Sequence, residues 1–183
     1  MKLYKILSAD GYSCHGGSAQ WALPTNGQHG EWMPPLHGSL NPCVYGYHLC
    51  RPQDLVCWLG ETIYEAEYRG AYNCGLILNA LQDNKVVVTH VRLLCRVEEW
   101  NERTARLFAA DCAEHVIHVF EREYPNDKRP RQAITAARLF ASDNLSRKEL
   151  AAARAAARAA AWDAARDAER EWQTEKLLEY LNF

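Results

Sequence analysis

Apolar and polar residues alternate with a period of two through much of the first hundred positions. In "TIYEAEY", Thr62 to Tyr68, the alternation puts Tyr64, Ala66 and Tyr68 on one face and Ile63, Glu65 and Glu67 on the other, as in a half-buried strand. "KVVVTHVRLLCRV", Lys85 to Val97, is rich in β-branched residues and long enough for a central strand. "KLYKIL" followed by "SADG" and "YSCH" predicts a hairpin, a strand and its return, with Asp10-Gly11 supplying the positive φ of the turn. "CVYGYHLC" reads as a strand packing Val44, Tyr47 and Leu49, and "QDLVCWLGE" as a short helix entered at Pro52 and closed by Gly60. The loop from Pro24 to Pro42 holds four prolines and few aliphatics, so it is expected to be exposed and mobile.

From Asn101 the period lengthens. Ala105, Phe108, Ala109, Cys112, Val116, Val119 and Phe120 recur at steps of three and four, an apolar stripe on a helix that ends before Pro125. A second helix opens at Pro130 and turns Ile134, Ala137, Phe140 and Ala141 inward. Ser146 with Glu149 forms a capping box for a third, which continues without a breaker to Asn182, about 55 Å at 1.5 Å per residue. Alanine dominates its first half. Arg154, Arg158, Arg166 and Arg170 make a row at four-residue steps with Trp162 in the gap, beside an acidic row of Asp163, Asp167 and Glu171.

Composition divides the chain at the same place. All ten glycines and five of the seven prolines precede Trp100, and no glycine follows it. The expected fold is α+β: a small, mainly antiparallel sheet domain over residues 1–100, packed on a three-helix unit over 101–183 with a long alanine-rich C-terminal helix. A net charge of -2 supplies no field for DNA or anionic lipid, so direct nucleic-acid binding is not expected. The seven cysteines contain no CxxC pair and the N-terminus has no long apolar segment, which together predict a reduced, cytoplasmic protein; no apolar run is long enough to span a membrane.

The stretch "NPCVYGYHLCRPQDLVCWLGE" concentrates the reactive side chains. Structural zinc sites use two tight ligand pairs, whereas His37, Cys43, His48 and Cys50, the alternative metal set, are spread over a proline-rich loop; these cysteines are therefore expected to be packing, with no metal and no cofactor. His115 and His118 stand at a spacing that can share a metal, with helix packing as the plainer role. No catalytic residue is expected. The alternative is Tyr47, His48, Glu65 and Glu67, since two carboxylates on one strand face with a histidine and tyrosine upstream are similar to the constellation of ADP-ribosyltransferases, a nucleotide-using activity.

"DCAEH" at Asp111 to His115, the "P-x-D-x-RPR-x-A-I" pattern from Pro125 to Ile134 and the "AARAAARAAA" helix carry a resemblance. Asp111 to Ala168 resembles the helical domain of immunity proteins related to polymorphic toxin systems, departing from it in lacking the histidine often found in the alanine helix. The residues themselves allow Asp127 to cap the turn, and Glu114, Arg129 and Arg131 to form either an ion-pair network or a partner-facing cluster. "GGSAQWALP", "NPCVYGYHLC" and "DNKVVVTHVRLL" make the N-terminal half look like a domain of bacteriophage, prophage and actinobacterial proteins, which implies no activity. The resemblance implies a setting of conflict between mobile elements and hosts. The expected function is a non-enzymatic, anti-CRISPR-like or immunity-type inhibitor that occludes a toxin or defence effector. Its candidate anchors are Trp21, Trp32, Arg154, Arg158, Trp162 and Arg166, and the alanine face is a candidate homodimer contact.

Overall fold

The computed structural model describes residues 2–42, 44–73, 84–142, 149 and 166–182. They form two compact units, Met1–Glu98 with Leu181–Phe183, and Glu99–Tyr180. The first carries four strands, β1 (Leu3–Leu7), β2 (Tyr47–Leu49), β3 (Thr62–Asn73) and β4 (Val86–Arg96), with a 3-10 helix at Pro52–Cys57. The second carries α1 (Glu102–Glu123) and α2 (Arg129–Ala141), and α3 runs over Arg166–Leu181. The class is α+β, as the change of period predicts.

Every strand pair is antiparallel, in the order β1-β3-β4-β2. Just past β2, Cys50 exchanges both backbone hydrogen bonds with Tyr4, each 2.8 Å, so the two outer strands meet and the sheet closes upon itself. Closure removes the unpaired strand edge that would otherwise invite association. Leu3, Leu7, Tyr47, Leu49, Tyr64, Ala66, Val86, Val88, Val91 and Leu93 fill its apolar interior with Trp21 and Met33. Tyr64 and Ala66 lie inside and Tyr68 packs against them, as the alternation of β3 requires.

On β4 the interior positions change parity between Val88 and Val91. The change falls opposite the register shift between Arg69 and Tyr72 of β3, where three residue steps of β3 face two of β4 and the ladder is locally irregular.

Four expectations for this unit are corrected. The returning arm of the hairpin is not a strand: Gly11 takes φ +87° at the turn, but only a single bridge, Leu7 with Ser13, follows, and β1 pairs with β3. The segment "YSCHGG" offers too little apolar surface to hold a ladder against the closed sheet. Val44 is 77% exposed, because β2 begins only at Tyr47.

The segment from Pro24 to Pro42 is pinned rather than loose. Gly30, Met33 and Leu36 donate backbone N–H to Leu93, Val91 and Thr89 of β4, each at 2.9 Å, so every third residue of the segment meets every second carbonyl of the strand. Gly30 is required here, since a Cβ would lie 2.1 Å from the Ala22 carbonyl oxygen. Trp21, expected as an exposed anchor, is buried in the core, 4% exposed.

In the helical unit Asn101 caps α1, accepting from the N–H groups of Arg103 and Thr104, while the Thr104 hydroxyl accepts from the Asn101 N–H. The buried residues of α1 are Phe108, Ala110 and Ile117, not the full predicted stripe, and Ala109 is exposed. The helix divides its contacts: Ala110 and Ile117 cluster with Ile134 and Ala137 of α2, while Phe108 meets Trp100 and Tyr180 edge-on. A stripe inferred for one neighbour blurs when a helix has two. The predicted third helix is described from Arg166; Ser146, Arg154, Arg158 and Trp162 lie outside the described residues, as does the side chain of Arg166.

Candidate functional site

Lys5 is the middle residue of "LYKIL", on the same side of β1 as the core residues Leu3 and Leu7 and opposite buried Tyr64. Strand geometry therefore aims an ammonium into an apolar interior. Its Nζ donates to the His48 carbonyl at 3.2 Å and stands 4.8 Å from the centre of the Trp21 ring. Burial pushes the lysine down to about 8, against the weaker pull of the Cys50 and Cys14 thiols.

Around it opens a cleft of about 640 Å³. Its walls include Cys14, His15, Trp58, Tyr45, Tyr47, His48 and Lys85, and no carboxylate lines it among the described residues. The Tyr47 hydroxyl donates to the Pro34 carbonyl at 2.8 Å and the Tyr45 hydroxyl to that of His37 at 2.9 Å, so both rings are held. His15 meets Trp58 edge-on at 5.4 Å, and the Lys85 ammonium lies 4.4 Å from the Trp58 ring centre. Burial, and then Lys5 and Lys85, lower the proton affinity of His48, which favours its neutral form. Burial also pushes the Cys50 thiol up to about 12, leaving it protonated and unreactive at neutral pH.

The four residues of the enzyme alternative do not come together. Tyr47 and His48 line the cleft, whereas Glu65 accepts from Lys2 at 3.4 Å and Glu67 is paired with Arg92 at 2.7 Å, neither at the cleft wall. Alternation of β3 explains this, since the glutamates share the face opposite Tyr64 and Ala66. Of the zinc alternative, Cys43 lies outside the described residues, His48 and Cys50 line the cleft and His37 does not. Among the described residues no three His, Cys, Asp or Glu side chains are grouped to hold an ion. Lys5 is a site residue absent from the sequence-based expectations, and its signal in the sequence is a lysine in the middle of an otherwise apolar strand.

Trp32 is half-buried and packed by cations: the guanidinium groups of Arg69 and Arg92 lie 4.1 and 4.9 Å from its ring centre, and His90 packs at 4.6 Å.

In the helical unit one carboxylate joins three helices. Asp111 of α1 accepts from Arg138 of α2 at 2.7 Å and from the Tyr180 hydroxyl of α3 at 2.8 Å, with Lys176 4.0 Å away. Arg138 also bonds Glu114, and Arg131 grips Glu121 through two bonds of 2.7 Å. His115 stacks on Trp172 at 4.1 Å, and the His118 ring contacts the His115 carbonyl, so the two imidazoles do not converge on a shared ligand. Residues 96–171 match the model of a family described as Imm-5 like putative immunity protein.

This match contains Asp111, Glu114, Arg131 and Arg138, the α1 and α2 members of the inter-helix network, while Lys176 and Tyr180 of α3 lie beyond it. No curated protein and no solved structure matches the chain. No helix among the described residues is long and apolar enough to cross a membrane.

Asp127 closes the α1–α2 turn. Its carboxylate accepts from the Arg129 N–H at 3.0 Å and from the same residue's guanidinium, and that hydrogen bonding holds it down to about 2. A carboxyl group depressed in the folded state contributes stability above its unfolded pKa and loses it as pH falls through the folded one. Asp127→Asn is therefore expected to lower the unfolding midpoint at pH 6, with the difference from the parent vanishing as the pH approaches 2. A pH series of denaturant melts reads this directly, and a difference that persists at pH 2 contradicts it.

Proposed function

We propose that the chain is a non-enzymatic immunity protein of mobile-element conflict, acting in the cytoplasm by stoichiometric occlusion of a toxin or defence effector. The observation that carries this reading is the immunity-family match over residues 96–171. The geometry of the motif residues supports it: Asp111, Glu114 and Arg131 bond to partners on α1, α2 and α3, so the motif ties the helices together. The arginine and tryptophan row of the alanine-rich segment, Arg154, Arg158, Trp162 and Arg166, is the contact surface this reading proposes, on the ground that arginine and tryptophan are enriched at interface hot spots. Trp32, held flat by Arg69 and Arg92, adds a second anchor of the type enriched at interface hot spots. A prophage-encoded inhibitor is the setting we infer from the resemblance of the N-terminal sequence to phage and prophage proteins.

Co-expression with toxin domains of polymorphic toxin systems tests it. Growth is expected to be restored against one toxin class, with an equimolar complex on size exclusion and loss of protection in Arg158→Glu. Protection by trace amounts of the chain, accompanied by a covalently altered toxin, would instead mean turnover and sink the occlusion reading.

A further inference from the structure

The cleft of the β unit has a chemistry that toxin binding leaves unused. Two lysines and two histidines face it without an acid among the described lining residues, and four aromatic rings, Trp21, Tyr45, Tyr47 and Trp58, form its walls. Lys5 finds one carbonyl and one ring face, and no carboxylate among the described residues pairs with it. Buried charges are ordinarily paired, so an enclosed ammonium with only this much compensation calls for an anion. The indole N–H of Trp21 is a second buried donor in the same wall, with no hydrogen-bond partner among the described residues. Lys85 brings another ammonium to the cleft, and both lysines stand near enough to His48 to oppose its protonation. The volume of about 640 Å³ lies in the range of cavities that enclose a small organic ligand.

We propose that this cleft binds a nucleoside phosphate, its phosphate oxygens facing the Lys5 and Lys85 ammonium groups and its base lying against the Trp58 and Tyr45 rings. Lys5, which has no carboxylate partner among the described residues, with a second ammonium from Lys85 at the same cleft, suits the dianionic charge of a phosphate. Aromatic faces accept any base by stacking, at a strength that depends little on its identity. With Glu65 and Glu67 engaged elsewhere, the site is one of binding and not of glycosidic chemistry. The assignment is independent of the immunity reading, which rests on the helical residues.

Calorimetric titration of the full chain with ADP, GDP, CDP and UDP tests the site, with adenosine and inorganic phosphate as separate titrants. At least one diphosphate is expected to bind about tenfold or more tighter than either fragment, and Lys5→Met to weaken it by a similar factor, as loss of a charge-assisted contact implies. Lys5→Arg is expected to retain most of the affinity, and Glu65→Gln, away from the cleft, all of it. Lys85→Met provides a second reading should Lys5→Met not fold. Absence of binding by all four diphosphates at millimolar concentration overturns the proposal. So does undiminished affinity in both lysine variants, or phosphate alone binding as tightly as the nucleotide, which would leave no role for the base.

Discussion

Lys5→Met is expected to make the protein more stable at neutral pH, by about 1–3 kcal/mol. The methionine keeps an apolar stem against Trp21 and removes an ammonium that burial disfavours. The sign follows from the lysine's depressed value. In the unfolded chain it holds its proton to its ordinary value of 10.5, whereas in the folded chain it releases it at about 8. Between these limits the unfolded state binds more protons, so stability attributable to Lys5 rises with pH. The penalty is fully present below pH 8, and the advantage of Lys5→Met should shrink toward nothing by pH 10.5.

Tyr4, pushed up to about 12 by burial, acts in the opposite sense in parent and variant alike and cancels in the difference, whereas Cys50, which Lys5 pulls down against its burial, rises further in the variant and stays protonated across this range. Denaturant melts at pH 7, 9 and 10.5 provide the measurement. A variant destabilised at pH 7 would show that Lys5 is a structural ion with its charge already compensated. A lysine that costs stability and is needed for a ligand is the pattern of a binding residue held in place against the preference of the core.

Asp111→Ala should cost the helical unit about 2–3 kcal/mol, well beyond the usual return of an exposed ion pair. The carboxylate is only 18% exposed and accepts from two other helices at once. Its removal leaves the Tyr180 hydroxyl without its acceptor and strips Arg138 of one of two carboxylates. Asp111→Asn, which keeps the shape and one acceptor oxygen, should recover part of the loss. Glu114→Ala, at a more exposed position whose main partner Arg138 retains Asp111, should lose less than Asp111→Ala. Helix melting followed by circular dichroism distinguishes these cases. If Asp111→Ala melts with the parent but abolishes toxin protection, the cluster faces a partner instead of holding the helices.

The same residues show how far the chain could be read without coordinates. Alternation alone places Tyr64, Ala66 and Tyr68 on one face, because a strand's side-chain period is fixed by its backbone. The helices after Asn101, the entry at Pro130 and the change of class near Trp100 were legible for the same reason, being written in local periodicity and in where glycine and proline occur. Glu114 and the arginines around Pro130 could be suspected of pairing, since their charges and helical spacing are visible in one dimension.

Which partner each residue finds is another matter. Arg138 reaches across 27 positions to Asp111, and Tyr180 across 69. Nothing local distinguishes these pairs from any other arginine, tyrosine and aspartate. The pinning of Gly30, Met33 and Leu36 to β4 and the meeting of Tyr4 with Cys50 depend on backbone groups, which every residue carries alike. They are therefore silent in the amino-acid pattern. Lys5 stands between the two cases. Its place in an apolar strand is sequence, but its enclosure by Trp21 and the His48 carbonyl, with the acids turned to the other face, exists only once the sheet has closed. Local order follows from side-chain period and backbone sterics, whereas the site follows from long-range closure, and that is why the first could be derived from the chain and the second had to be seen in three dimensions.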